Sequence, residues 1–237
     1  MTVVEICVED AVGVRRARDG GADRIEICTD LSCGGLTPAF DEVAAALEVA
    51  PAGDVQVLVR PRPGNFVHSR EEVDRIASDI VTLRAIGRGA AVRLGFVVGV
   101  LADDGSINVD AAARLRDIAE DAPLTFHRGF DQVLDQDRGL DVLMELGYDR
   151  VLTTGGHPAA AQPGHWRAWS SAGERTSSSS SRAACAPTML PRSWRPRVLA
   201  RSTCVRPGPP VPIKPRSSEL SPPCTDNSAH AFLENHP

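Results

Sequence analysis

From Met1 to about Thr154 the chain alternates short, nearly continuous aliphatic runs with longer stretches of helical period, and this alternation limits the folds available to it. Val3 to Cys7, Asp23 to Cys28, Val55 to Arg60, Leu94 to Leu101, Leu124 to His127 and Asp149 to Thr153 read as strands. Helices are predicted between them. One ends at Gly20-Gly21; one opens at Thr37-Pro38, with Thr37 as its cap, and runs through Ala50. A third opens at a capping box, Ser69 with Glu72, and continues to about Ile86. Asp110 to Glu120 and Asp135 to Leu146 supply two more. Strands that are aliphatic on both faces belong to a parallel sheet covered by helices. Six such units predict an α/β fold, a TIM-type barrel left incomplete. The rival is a doubly wound open sheet, which usually has a glycine-rich turn after its first strand, and Cys7-Val8-Glu9-Asp10 is not one.

The tripeptide Glu-Ile-Cys closes the first two strands, as Glu5-Ile6-Cys7 and Glu26-Ile27-Cys28. Side chains at i and i+2 share a face, so each copy sets a carboxylate beside a thiol. A strand, a helix and a second strand form a right-handed crossover unit whose strands are commonly neighbours. The two pairs are therefore expected to converge. Further polar residues collect at strand ends, among them Arg60, His127 and Thr153, and in a β/α barrel that rim carries the site.

Composition divides the chain at about residue 160. Residues 1–163 hold 16 arginines against 27 acids, a net of −11, whereas residues 164–237 hold 10 basic and 4 acidic residues, a net of +6. The second part also has 11 of the 18 prolines and a run of serines from Ser177 to Ser181. We expect a core over 1–160 and a disordered, low-complexity tail over 161–237. No apolar run is long enough to span a membrane, and the acidic start MTVVEICVED is unlike a signal peptide. The expected location is the cytoplasm, where the six cysteines are thiols or metal ligands before they are disulfides. The basic tail lacks an aromatic platform, so no nucleic-acid partner is expected, and no membrane partner either.

The strings EICVED, GGADRIEIC, GGLTP, RPRPGNF, TFHRGFD and LTTGG, in this order from Val4 to Gly156, resemble the CutC family of copper homeostasis proteins. The resemblance implies a cytoplasmic protein with a β/α barrel fold. Gly129, where the family more often has Ala, and Cys33, an extra thiol before Gly34-Gly35, are departures. The family continues with further β/α units that residues 164–237 do not resemble. A one-base change of reading frame near Gln162 restores them: Thr176 to Trp194 can be rewritten as DVVVVVAGGVRADNVAEVV, a strand, a glycine turn and a helix. The alternative is a natural disordered basic tail. Cys185, Cys204 and Cys224 lie in this segment and carry no functional weight.

Copper is what the resemblance implies; spacing alone does not supply it. Cys7 and Cys28 are the proposed ligands, since a thiolate pair suits a soft, low-coordinate ion such as Cu(I). The plainer reading is that both pack as small core hydrophobes. Glu5 and Glu26 need partners if buried, and Arg60, Arg62 and Arg128 are the candidates. These five residues are the expected pocket. The alternative function is a barrel enzyme acting on a small anionic substrate through His127, held by Asp131, with the paired carboxylates Glu5 and Glu26. Arg60 and Arg62 offer forks for such an anion, and Gly155-Gly156 a turn that approaches it. His68 and His157 are expected to be exposed loop residues. The leading reading is a copper(I)-binding protein and not an enzyme, with a homo-oligomer as one outcome and an inactive truncated product as another.

Overall fold

The computed structural model describes residues 2–51, 53–154, 197–201 and 231–235. Six strands run in parallel and alternate with helices: β1 (Thr2–Val8), α1 (Ala11–Asp19), β2 (Arg24–Ile27), α2 (Phe40–Val49), β3 (Val55–Leu58), α3 (Arg70–Gly87), β4 (Leu94–Val98), α4 (Val109–Ala119), β5 (Leu124–Phe126), α5 (Gln136–Glu145) and β6 (Arg150–Thr153). Two short segments of the tail join them. β7 (Arg197–Arg201) pairs parallel to β6, and β8 (Ala231–Asn235) lies antiparallel to both β7 and β1, closing the ring. The outer edges of β1 and β6, which six units alone would leave open, are therefore paired. A bare edge leaves a row of backbone groups unsatisfied, and β7 and β8 supply that pairing. The rest of the tail, with the expected disorder and the Gly155-Gly156 turn, lies outside the described residues.

Local chemistry sets the helix ends. Ser69 accepts from the Glu72 amide while Glu72 accepts from the Ser69 amide, the expected capping box of α3. Asp10, Asn108 and Asp135 cap α1, α4 and α5 from one side only, their side chains accepting from the amides of Gly13, Ala111 and Arg138. Thr37 does not cap α2, which begins at Phe40 after Ala39. Its hydroxyl instead exchanges hydrogen bonds with the backbone of Arg60, joining the loop after β2 to the end of β3.

Strand alternation sorts side chains into two cores. Ile25, Ile27, Val55, Val57, Phe96, Val98, Leu124 and Phe126 face outward and meet Val43, Ile76, Ile80, Leu83 and Leu115 of the helices. The other parity points into the barrel and forms a separate cluster of Cys7, Cys28, Leu58, Val97 and Leu152. Glu5, Glu26, Gln56 and Arg150 are buried two residues before this layer on their strands and Arg24 four before it, with Thr125 in register with Arg150; Arg60 and Thr154 are buried two residues beyond the layer, and His127 two beyond Thr125. The interior thus has a polar floor, an apolar middle holding two thiols, and a polar mouth.

Candidate functional site

The thiols meet because the strands that carry them are neighbours. Cys7 is in register with Glu26, so Cys28 stands two residues further along β2. The two Sγ atoms are 3.4 Å apart, and the thiols are 6% and 0% exposed. Cys28 Sγ also lies 3.7 Å from the Val8 carbonyl. Strands about 4.8 Å apart, with a two-residue offset of about 6.6 Å, separate the Cα atoms by about 8 Å. A disulfide requires Cα atoms within about 7 Å. The sulfurs touch as reduced thiols, and ideal strand spacing with this offset sets the Cα atoms farther apart than an unstrained disulfide allows. Both cysteines are also packed into the apolar layer, so the ligand reading and the core reading describe one arrangement. Among the described residues no group of three or more His, Cys, Asp and Glu side chains is placed to hold a metal. The donor set here is two sulfurs.

Glu5 and Glu26 lie on the floor side of the thiols, away from the mouth. Glu5 is ion-paired with Arg24, its register partner on β2, both side chains being buried. The expected partners, Arg60, Arg62 and Arg128, are engaged elsewhere. The alternation that joins Glu26 to Cys28 also places Arg24 on the inner face, and that third member of the column was the missed signal. Across the floor, Arg150 donates to the Thr125 hydroxyl at 3.0 Å. A surface cleft of about 440 Å³, lined by Arg84, Arg88, Arg93 and Glu120, opens where β4 and β5 begin and includes none of these residues.

At the mouth the arginines hold the protein's own loops. Arg60 is 6% exposed and donates to the carbonyls of Cys33 (3.3 Å), Gly35 (3.1 Å) and Gly64 (2.8 Å), with its guanidinium 4.9 Å from the Phe66 ring centre. Arg62 grips Glu72 and donates to Asn65 and the Val67 carbonyl. That grip, with the Ser69 amide, holds the Glu72 carboxyl down at about 2. Arg128 lies 3.4 Å from Asp131 and 3.5 Å from the Thr154 hydroxyl.

His127 and Asp131 do not form the expected pair. Asp131 accepts from the Thr153 hydroxyl and from the Thr154 amide and hydroxyl, tying the turn after β5 to the end of β6. The short helical turn Arg128–Gln132 swings Asp131 toward β6. His127 Nδ1 instead accepts from the Gly129 amide at 3.0 Å, which leaves the ring proton on Nε2. Burial and then the nearby Arg60 charge push His127 down to about 3. The ring is neutral at physiological pH and can donate from Nε2, but it cannot act as an imidazolium acid. Its centre is 4.6 Å from that of the Phe66 ring, the two tilted at 51°, and it closes on Gly99, where a Cβ would come within 2.4 Å of it.

His68, expected to be exposed, is 7% exposed and sits 3.4 Å from Glu72, with its pKa lowered chiefly by burial. The loop that carries it folds back over the mouth, where Val67 bridges to Leu101. His157 lies outside the described residues. Cys33 is partly exposed, with Sγ 3.2 Å from the Asp30 carbonyl.

The CutC family model matches residues 2–166. The chain is 38% identical over 154 residues to a family protein CutC of Aliivibrio fischeri, covering 64% of this chain and 60% of that one. It is 39% identical over 162 residues to a family protein CutC of Agrobacterium fabrum, covering 68% and 61%. A human protein named copper homeostasis protein cutC homolog is 38% identical over 153 residues, covering 65% and 54%. The chain thus spans about three-fifths of the length of the first relatives it matches. A crystal structure described as a copper homeostasis protein CutC from Streptococcus agalactiae superposes with a TM-score of 0.60 at 29% identity, covering 67% of this chain and 75% of that one. By its parallel strands, its motifs and these matches, the chain belongs to the CutC family.

Proposed function

We propose that the chain binds copper(I) through Cys7 and Cys28 and serves copper homeostasis in the cytoplasm. The observation that supports this reading is the pair of sulfurs 3.4 Å apart in an apolar layer. Soft thiolates and low coordination suit Cu(I) over oxygen-seeking ions such as magnesium or calcium. Cu(I) replaces the thiol protons when it binds, so uptake releases protons and weakens as pH falls. A reducing cytoplasm keeps both sulfurs available. The name borne by the human relative agrees with copper as the cargo.

The enzyme alternative has less support. Its acid–base pair is not formed, since Asp131 serves β6 and His127 is held neutral. Its paired carboxylates lie on the floor, below the thiol layer.

Anaerobic Cu(I) titration against a competing chelator tests the proposal. Wild type should take up one ion per chain. Cys7→Ala and Cys28→Ala should each lose more than about 100-fold in affinity, because removing a ligand outright exceeds the effect of removing one of its hydrogen-bond partners. Equal affinity in all three proteins would discard the reading.

A further inference from the structure

The loop between β2 and α2 closes on itself directly above the thiols. Thr29 and Leu36 exchange backbone hydrogen bonds at 3.0 and 2.7 Å, pinching residues 29–36 into a compact flap. Its inner side rests on the thiol layer. Leu31 packs against the Cys7 and Cys28 cluster, and Gly35 lies so close that an added Cβ would meet Leu58 at 2.7 Å and Cys28 Sγ at 3.5 Å. Three of its residues have positive φ, Asp30 at 51°, Gly34 at 91° and Gly35 at 89°. Such positions act as hinges because the backbone can turn there without involving the strands.

Arg60 fastens this flap. Its Nη1 reaches two flap carbonyls, Cys33 and Gly35, while Nη2 reaches Gly64 on the neighbouring loop. Leu31 has a second tether, from its amide to Glu9 Oε1 at 2.9 Å. A buried guanidinium whose two Nη atoms are both engaged by loop carbonyls is well placed to hold a loop shut.

We propose that residues 29–36 are a hinged cap over the Cys7 and Cys28 thiols and that Arg60 is its latch. A soft ion or any other thiol-seeking reagent reaches the pair when the Arg60 bonds to Cys33 and Gly35 release and the cap turns about Asp30 and Gly34-Gly35. Cys33 rides on the cap and stays reachable in both positions. The inference concerns access to the thiols and stands whether or not the ion is copper.

Alkylation of the reduced, metal-free full chain by N-ethylmaleimide, with peptide mass mapping of each cysteine, tests it. In wild type partly exposed Cys33, though its thiol pKa is raised by burial, should react faster than the buried Cys7 and Cys28. In Arg60→Ala the two inner thiols should react about ten-fold faster or more, the effect of losing charge-assisted bonds from a local opening equilibrium. Cys33 should not speed up with them, because the Arg60 charge lowers its pKa and removing that charge leaves less thiolate there. Hydrogen exchange at Phe96 and Val98 reports whether the barrel itself stays closed. Leu31→Ala, which thins the cap without touching the latch, should speed the inner thiols in the same sense and decides the matter if Arg60→Ala fails to fold. Unchanged inner-thiol rates in a folded Arg60→Ala protein, or in Leu31→Ala where the first does not fold, would overturn the cap. Because no copper is used, a failed Cu(I) titration leaves this result standing, and the reverse also holds.

Discussion

The interior of the barrel differs on its two sides. Toward β1 and β2 the inward column carries Glu5, Arg24, Glu26, Cys7 and Cys28; toward β3, β4 and β5 it carries Arg60, Gly99 and His127. Both columns end in residues of the kind found in active sites. On the second side the polar atoms serve the fold: Arg60 is bonded to three loop carbonyls, and His127 Nδ1 is taken by Gly129. On the first side two reduced thiols touch each other, and it is this pair that the copper proposal rests on. What a residue's polar atoms already contact therefore separates a ligand from a scaffold better than residue type does.

Several measurements would break or sharpen this contrast. The largest effect is expected at the floor of the thiol side. Arg24→Ala leaves Glu5 buried without its counter-ion, and such a deletion costs about 3–5 kcal/mol, read as a lowered midpoint in urea unfolding. A small loss there would mean that the floor is wetter than its burial indicates.

On the other side, the pH dependence of stability reports His127. Its folded pKa of about 3 lies below the ordinary value of 6.5, so the unfolded chain takes up the proton first as pH falls. Stability from this group is full above 6.5 and falls below it by up to about 1.4 kcal/mol per pH unit until about pH 3. Comparing wild type with His127→Phe between pH 7 and 5 isolates that slope, and equal slopes would show that the ring is not desolvated. A smaller cost, about 1–3 kcal/mol, is expected for Gly99→Ala, whose added methyl lands on the His127 ring. A neutral result would imply that the imidazole can move aside.

The smallest effect should be that of His127→Ala on Cu(I) affinity, a change of less than about two-fold, since His127 accepts from the Gly129 amide while the two thiols bond to each other. A drop comparable to that of Cys7→Ala would merge the two sides into one site and end the comparison.

Much of this was legible in the sequence. The alternation of aliphatic runs and amphipathic stretches gave six strands and five helices close to their observed bounds, because period and capping are local properties. The repeated Glu-Ile-Cys gave the convergence of the thiols. The partners of the charged residues were not legible. Arg60 was read as a free fork, yet the loops after β2 and β3 fold onto it, and loop paths leave little periodic trace. Asp131 was read as the partner of His127 by spacing, but a tight helical turn sends it to β6. Thr37 was read as a cap and became a strap to Arg60. Thr37 and Asp131 each meet a partner 23 residues away in the chain.

By itself the sequence determined the kind of fold, the family and the placing of Cys7 and Cys28 on adjacent strand ends, since strand parity and crossover handedness follow from local stereochemistry. Only the tertiary structure decided that Glu5 turns to Arg24, that His127 is neutral and that a loop latched by Arg60 lies over the thiols. These depend on which charges share a buried space, and burial is a property of the assembled barrel.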